Sequence, residues 1–378
     1  MEAAGLLRQP RQVDGRQGPR LVADGRDVLC FCSNNYLGLA DHPALLEAAH
    51  AALDREGLGA GASRLISGTM RAHRLAEDRL ATMVGAEASL LFSTGYAANT
   101  GVLSALAGRD DVIFSDALNH ASLIDGCRLS RASVHVYRHR DPAHLQSLLE
   151  AHRPRFRRAL IVTDALFSMD GDRAPLAALR TLADQHDAAL LVDEAHSLGV
   201  LGPHGRGLCV EVGVRPDVLV GTLGKAFGVA GAFAAAKAPV IQLLANRARS
   251  FVFSTAPPPS IAAAAAAAVE LVTAGDDRRH RLLRHARRLQ DALAARGIPM
   301  PADHGPIVPL LIGDADVTMQ LSAALFERGF FVQGIRPPTV PQGTSRLRIV
   351  PTAAHTDAHV DALLHALVEL LPPAGASP

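Results

Sequence analysis

Residues 188–197 read AALLVDEAHS: five apolar side chains, then Asp193 and Glu194, and one residue on, His196. An apolar run too short for a helix and closed by polar residues is the pattern of a strand buried on both faces. The pattern recurs in RALIVTDALFS (158–168) and PDVLVGTLG (216–224), and between the first two runs APLAALRTLADQHD (174–187) carries its apolar residues at helical spacing. Such alternation predicts βαβ units and a mostly parallel sheet, an α/β fold. Ligands of these sheets collect beyond the carboxyl ends of the strands. The polar tails Asp164–Ser168, Asp193–His196 and Thr222–Lys225 are expected to converge there.

Working outward, the character of the chain changes after FVFSTAPPPS (251–260). An alanine-rich helix and the basic DDRRHRLLRHARRLQDALAARG lead to shorter strand candidates in IVPLLI, GFFVQGI and SRLRIV. The expected organisation is an N-terminal arm over 1–45, a large α/β domain over 46–260 and a smaller α+β domain over 261–378. The basic helix around 278–288 reads first as a solvated face.

Composition excludes several classes. Lys and Arg total 38 against 37 acids, so no overall field favours nucleic acid or an anionic membrane. The opening residues lack the apolar core of a signal peptide, and IAAAAAAAVELV (261–272) is too short to span a bilayer. Four cysteines, two of them in a C-x-C pair at 30 and 32, show no zinc spacing; reduced thiols in a cytoplasmic protein are expected.

GTLGKAFG (221–228) then raises a chemical question, because a lysine at the end of a buried strand is costly unless it is used. GLGAGASR (57–64) is no dinucleotide fingerprint, since a helix-like stretch precedes it, and VLVGTLGKAFG lacks the first glycine of a P-loop. A desolvated amine is nucleophilic and forms a Schiff base with an aldehyde cofactor. Pyridoxal phosphate needs in addition a carboxylate at its ring nitrogen, a phosphate cradle and a stacking side chain. Asp193 supplies the acid, with the paired charges offsetting each other's desolvation. His196 follows for the phenolic oxygen, and His120 in SDALNHASLIDG is placed to stack. STGYAANTGVLSAL (93–106) reads as a turn opening a helix whose free N–H groups receive phosphate.

With these residues in view, the chain resembles the α-oxoamine synthases, fold type I pyridoxal-phosphate enzymes that condense an amino acid with an acyl thioester and lose carbon dioxide. The resemblance rests on SNNYLGLADHP, GAGASRLISGT, FSTGYAANTGVLSAL, NHASLIDG, FSMDGDRAPL, VDEAHSLGVLGPHGRG, GTLGKAFGVAGAF, FSTAPPP and RPPTVPQGTSRLRI, in family order from 33 to 350. It implies that Lys225 carries the cofactor, that Asp193 faces the ring nitrogen, and that His120 stacks on the ring and polarises a carbonyl. It further implies His196 and Ser168 at the phenolic oxygen, and Thr222 with the Gly95–Tyr96 backbone at the phosphate. Ser254 and Thr255 would reach the cofactor of a second subunit in a homodimer. Arg348, assisted by Asn34, would hold the amino-acid carboxylate, while Thr339 and Arg8 would contact the acyl group. IRPPTVPQGTSRLR (335–348) points to the branch that joins L-alanine to a pimeloyl group, carried by coenzyme A or by acyl carrier protein, in biotin synthesis. Asp164 departs from the glutamate common in relatives. Sister enzymes that take glycine or serine, aminotransferases of the same fold and a non-catalytic sensor are the alternatives.

Overall fold

The computed structural model describes residues 9–303 and 305–371. The chain forms two units, one of residues 42–167 and 173–276, the other of residues up to Asp41, Ser168–Asp172 and residues from Asp277 onward.

The first unit is built on a seven-stranded sheet, in the order Ala88–Phe92, Ala232–Ala236, Val218–Thr222, Ala188–Asp193, Arg158–Asp164, Asp111–Asp116, Ser133–Tyr137. The last five strands are parallel, and Ala232–Ala236 runs antiparallel to both its neighbours. The central strands are buried along almost their whole length, which is why they read as unbroken apolar runs. Parallel register pairs Asp164 with Asp193, and Val220 with Asp193, so the carboxyl ends of three strands finish together. Helices Gly95–Leu106, Ala121–Ser130 and Leu176–Gln185 link these strands; their buried Val102, Leu103, Leu123 and Leu179 seal the sheet.

The second unit holds a four-stranded sheet, Val13–Asp14, Arg20–Ala23, Arg26–Cys30 and Phe330–Phe331, and an antiparallel three-stranded sheet, Val308–Gly313, Ser345–Ile349 and Gln333–Ile335. Phe31, Leu289, Leu325, Leu347 and Val360 form its core with helices Asp276–Ala294, Ala315–Glu327 and Asp357–Leu370.

The division between units falls at 276/277, where the sequence suggested 260/261. The alanine-rich helix Pro259–Thr273 packs on helices Pro43–Glu56 and Arg71–Val84, because six small buried side chains, Ser260 and five alanines, let neighbours approach closely. The N-terminal segment is likewise no separate arm: Arg26–Cys30 pairs in parallel with Phe330–Phe331 of the C-terminal part. Ser168–Asp172 joins this unit through two arginines of one strand. Arg346 pairs with Asp170 and donates to Met169 O (3.2 Å), and Arg348 Nε donates to Ser168 O (2.6 Å). Gly171, at φ +69°, brings the segment so near Ile307 that a Cβ would lie 2.8 Å from its carbonyl oxygen.

Along the basic helix, Arg284 pairs with Asp357 (3.3 Å), Arg288 pairs with Asp361, and Arg278 donates to Leu37 O (3.0 Å). Part of that charge therefore binds the C-terminal helix rather than lying bare. Among the described residues no helix is long and apolar enough to cross a membrane.

Candidate active site

A cleft of about 200 Å3 opens at the carboxyl ends of the strands, lined by Gly95, Tyr96, His120, Asp193, His196, Thr222 and Lys225 among others. Seven residues named from the sequence thus meet in one place. Lys225 lies in the turn that joins Val218–Thr222 to Ala232–Ala236, closed by Gly228 N–H to Lys225 O (3.0 Å) and Val229 N–H to Leu223 O (2.9 Å). Its Nζ stands 2.9 Å from His196 Nε2.

The tail of the Ala188–Asp193 strand divides two acids between two tasks. Glu194 is fully buried and accepts the N–H groups of Leu208 (2.9 Å) and Cys209 (2.7 Å), tying down the short helix Leu208–Glu211. Burial raises its carboxyl above the ordinary range, while Ser197 and these N–H groups counter the rise. Asp193 turns instead to the cleft. Its Oδ1 accepts Ala195 N–H (2.8 Å) and its Oδ2 accepts Asn99 Nδ2 (2.7 Å).

Asn99 was not singled out from the sequence. It lies one helical turn after Gly95, so it faces the sheet from the helix whose N-terminus opens on the cleft. Its amide also donates to Ser122 Oγ (2.9 Å). Ser122 is a second unheralded member: its backbone N–H donates to His120 Nδ1 (3.2 Å), and its hydroxyl lies 2.7 Å from the same nitrogen. His120 is thereby the N-cap of helix Ala121–Ser130, and the cap fixes its ring.

Asp164 locks the other side of His120, accepting its backbone N–H on Oδ2 (2.7 Å) while donating its own N–H to Asn119 Oδ1 (2.9 Å). Burial, and then the facing Asp193, push the Asp164 carboxyl well above the usual range. Desolvation, with Lys225 adding to it and Asp193 opposing it, holds His120 below the ordinary imidazole range. Neutral forms of both side chains suit a cleft already holding an acid and an amine.

At the mouth, Thr94 caps helix Gly95–Leu106 by accepting Ala97 N–H (3.0 Å), and the first-turn N–H groups of the helix are left for an outside acceptor. Thr222 Oγ1 lies where a Cβ on Gly95 would meet it at 3.9 Å. Helix N-terminus, hydroxyl and absent side chain make an anion seat.

The remaining candidates fall elsewhere. Ser254 and Thr255 lie outside this lining, where Thr255 bridges Ser63. Arg348, Asn34 and Ser168 form their own cluster in the second unit: Arg348 Nη2 donates to Asn34 Oδ1 (3.1 Å) beside Tyr36 OH (3.5 Å). Thr339 is exposed in a turn and donates its N–H to Arg336 O (3.2 Å). Arg8 lies outside the described residues.

Comparison with known proteins decides among the readings of this geometry. The model of the family "Aminotransferase class I and II" matches residues 26–367. An 8-amino-7-oxononanoate synthase of Geotalea daltonii is 52% identical over 98% of this chain and 95% of its own length. That of Geobacter sulfurreducens is 52% identical over 97% and 94%. The chain belongs to the α-oxoamine synthases, a branch of the aminotransferase class I and II family. Among solved structures, a serine palmitoyltransferase of Sphingomonas wittichii superposes with TM-score 0.92 at 34% identity, covering 97% of this chain and 94% of its own. The 8-amino-7-oxononanoate synthase of Francisella tularensis gives 0.78 at 28%, over 90% and 97%. The fold is therefore the pyridoxal-phosphate transferase fold type I, and half the residues are shared with the oxononanoate branch.

The cofactor of this α-oxoamine synthase is pyridoxal 5'-phosphate. The cleft suits it on its own chemistry. An anion seat lies at one end and a buried carboxylate with an amine at the other. Between them Asn99 Oδ1 is buried with no partner among the described residues.

Proposed function

We propose that the chain is an 8-amino-7-oxononanoate synthase that condenses L-alanine with a pimeloyl thioester, releasing carbon dioxide and the free thiol, in biotin synthesis. The observation that carries this reading is Lys225 Nζ at 2.9 Å from His196 in a cleft floored by Asp193, in a chain sharing 52% of its residues with such enzymes.

Pyridoxal phosphate, when bound, supplies the electron sink that makes the amino acid's α-carbon nucleophilic. Lys225 would carry it, Asp193 would hold its ring nitrogen, and Thr222 with the Gly95–Tyr96 backbone would hold its phosphate. Lys225 Nζ then takes the α-proton from the amino acid and later returns one to the product. Its neighbour His196 keeps that nitrogen oriented. His120, held neutral and capped by Ser122, is a donor toward the thioester carbonyl oxygen. Arg348 is 6% exposed, and among the described residues its side chain contacts are with Ser168 O, Asn34 and Tyr36, none of them a carboxylate. A buried guanidinium without a counter-ion calls for an anion, and the amino-acid carboxylate fits the need bidentately. Thr339 and Arg8 are assigned to the acyl chain. His196 and Ser168 are assigned to the phenolic oxygen, and Ser254 and Thr255 to a second subunit's cofactor.

We place the enzyme in the cytoplasm as a homodimer. The described cysteines are all free, as in a reducing compartment. Ile66, 80% exposed, follows Ser63 by three residues, and Phe253, 71% exposed, precedes Thr255 by two, at the two ends of the Ser63–Thr255 bridge; a second copy would cover these apolar side chains.

A serine-using reading is favoured by the TM-score of 0.92 to a serine palmitoyltransferase. Thiol release measured with L-alanine, glycine and L-serine against pimeloyl thioester separates the two. Preference for alanine by at least about tenfold in kcat/KM supports the proposal, and preference for serine overturns it; one methyl group is worth about 1–3 kcal/mol.

A further inference from the structure

Asp116 and His139 take no part in the chemistry above, yet they stand at the same sheet edge as the cleft. Asp116 ends the strand Asp111–Asp116, and His139 follows the neighbouring strand Ser133–Tyr137 by two residues, with Asp116 and Tyr137 side by side in parallel register. The Asp116 side chain is buried and accepts three bonds. Leu118 N–H (2.9 Å) and His139 Nδ1 (2.8 Å) meet its Oδ1, and Arg140 N–H (2.9 Å) meets its Oδ2. With the carboxylate accepting on both oxygens, His139 Nδ1 is the donor of the pair.

Two turns are tied at this one carboxylate. The first leads from Asp116 to His120. The second, Arg138–Asp141, holds Arg140 at φ +54°, a left-handed conformation unusual for a residue with a long side chain. His139 also packs edge-on against Phe167, with ring centroids 4.4 Å apart and planes at 86°. Phe167 lies three residues beyond Asp164, whose Oδ2 accepts His120 N–H. The imidazole therefore touches both segments that seat His120. Within the first turn, Asn119 is anchored by its Nδ2 on Ser115 Oγ (2.9 Å) and Val162 O (2.9 Å), whereas Leu118 is 40% exposed and its N–H relies on Asp116.

We propose that Asp116 and His139 are a positioning pair for His120: the imidazole N–H fixes the carboxylate that shapes turn 117–119, and the turn sets the His120 ring over the cofactor. Neither side chain is among those lining the cleft, so the pair acts through His120 and not on the cofactor. The inference rests on the stacking role given above to His120.

The test is pyridoxal phosphate affinity, by equilibrium dialysis, in a double-mutant cycle on the full chain. His139→Phe keeps an aromatic ring against Phe167 and removes the N–H. It should weaken binding about fivefold or more where His120 is present, and less than about twofold in a His120→Ala background. His139→Asn, whose amide puts an N–H where Nδ1 stands, should bind within about twofold of the wild type. His139→Ala repeats the first prediction without the bulk of a phenyl ring, and melting curves confirm each fold. Equal losses in both backgrounds would reduce the pair to a structural tie and overturn the proposal, as would an Asn variant as weak as the Phe one. Wild-type affinity in His139→Phe beside a weakened His120→Ala overturns the proposal alone. Wild-type affinity in His120→Ala overturns the stacking role itself, and the proposal with it.

Discussion

At the scale of single residues, the cleft is governed by which side chains may keep a charge. Asp193 is held by Asn99 and Ala195 N–H, while its neighbour in register, Asp164, is pushed toward the neutral acid by burial and by Asp193 itself. Asp164 therefore acts as a brace for His120 rather than as a second anion beside the cofactor. Its carboxylate reaches His120 N–H at 2.7 Å. Asn99 is the residue on which this arrangement turns. Replacing it with alanine removes a charge-assisted bond worth about 1.5–3 kcal/mol. Asn99→Ala should bind pyridoxal phosphate about tenfold or more weakly, as read by equilibrium dialysis, with the fold intact by circular dichroism. Affinity equal to that of the wild type would mean that Asp193 needs no such support.

At the scale of elements, two glycines on neighbouring segments separate fold from binding. A Cβ at Gly221 would lie 2.6 Å from Phe233 Cε1 and 2.8 Å from Leu198 Cδ2, inside a packed strand. Gly221→Ala should cost about 1–3 kcal/mol of stability in denaturant titration. A Cβ at Gly95 meets only Thr222 Oγ1, at 3.9 Å, so Gly95→Ala should leave the apoprotein's stability unchanged and weaken cofactor binding. Equal effects of the two on apoprotein stability would contradict the distinction. The loop after Ser345–Ile349 carries a pH-dependent element of its own. His355 is held down to about 3 by burial and then by His359 and His285, and its Nδ1 accepts Thr352 N–H at 2.9 Å, which needs the neutral ring. Below about pH 6.5 the unfolded chain takes up a proton that the folded ring refuses. Stability from this ring is full above that pH and is lost as the pH falls toward 3, by up to about 5 kcal/mol. Melting temperatures of His355→Asn should follow a flatter acid limb than the wild type; parallel limbs would assign the acid loss to other groups.

Elements also show what the sequence could and could not disclose. The three strands at 158–164, 188–193 and 218–222 were legible because a strand buried on both faces leaves an apolar run with a polar end. The helix start at Gly95 was legible from its turn residues. Ala232–Ala236, wholly buried and antiparallel, was not, since AFAAA offers neither alternation nor branched side chains. Asn99 and Ser122 escaped notice because their roles arise from pairing across helices, which spacing along the chain does not encode. The assignment of Ser168–Asp172 to the second unit depends on Arg346 and Arg348, far along the sequence.

At the scale of the whole molecule, the proposed homodimer makes a prediction of its own. Charging the exposed surface with Ile66→Glu and Phe253→Glu together should shift the mass in light scattering from two chains to one and lower activity. A dimer that persists with full activity would place the interface elsewhere. The central claim remains that Lys225 is the residue to which pyridoxal phosphate is joined. Borohydride reduction of the holoenzyme, followed by peptide mass mapping, tests it most directly. The account predicts a pyridoxyl group on the peptide carrying Lys225, absent in Lys225→Ala together with turnover. A pyridoxyl group on any other lysine, or a Lys225→Ala enzyme that still turns over, would contradict it.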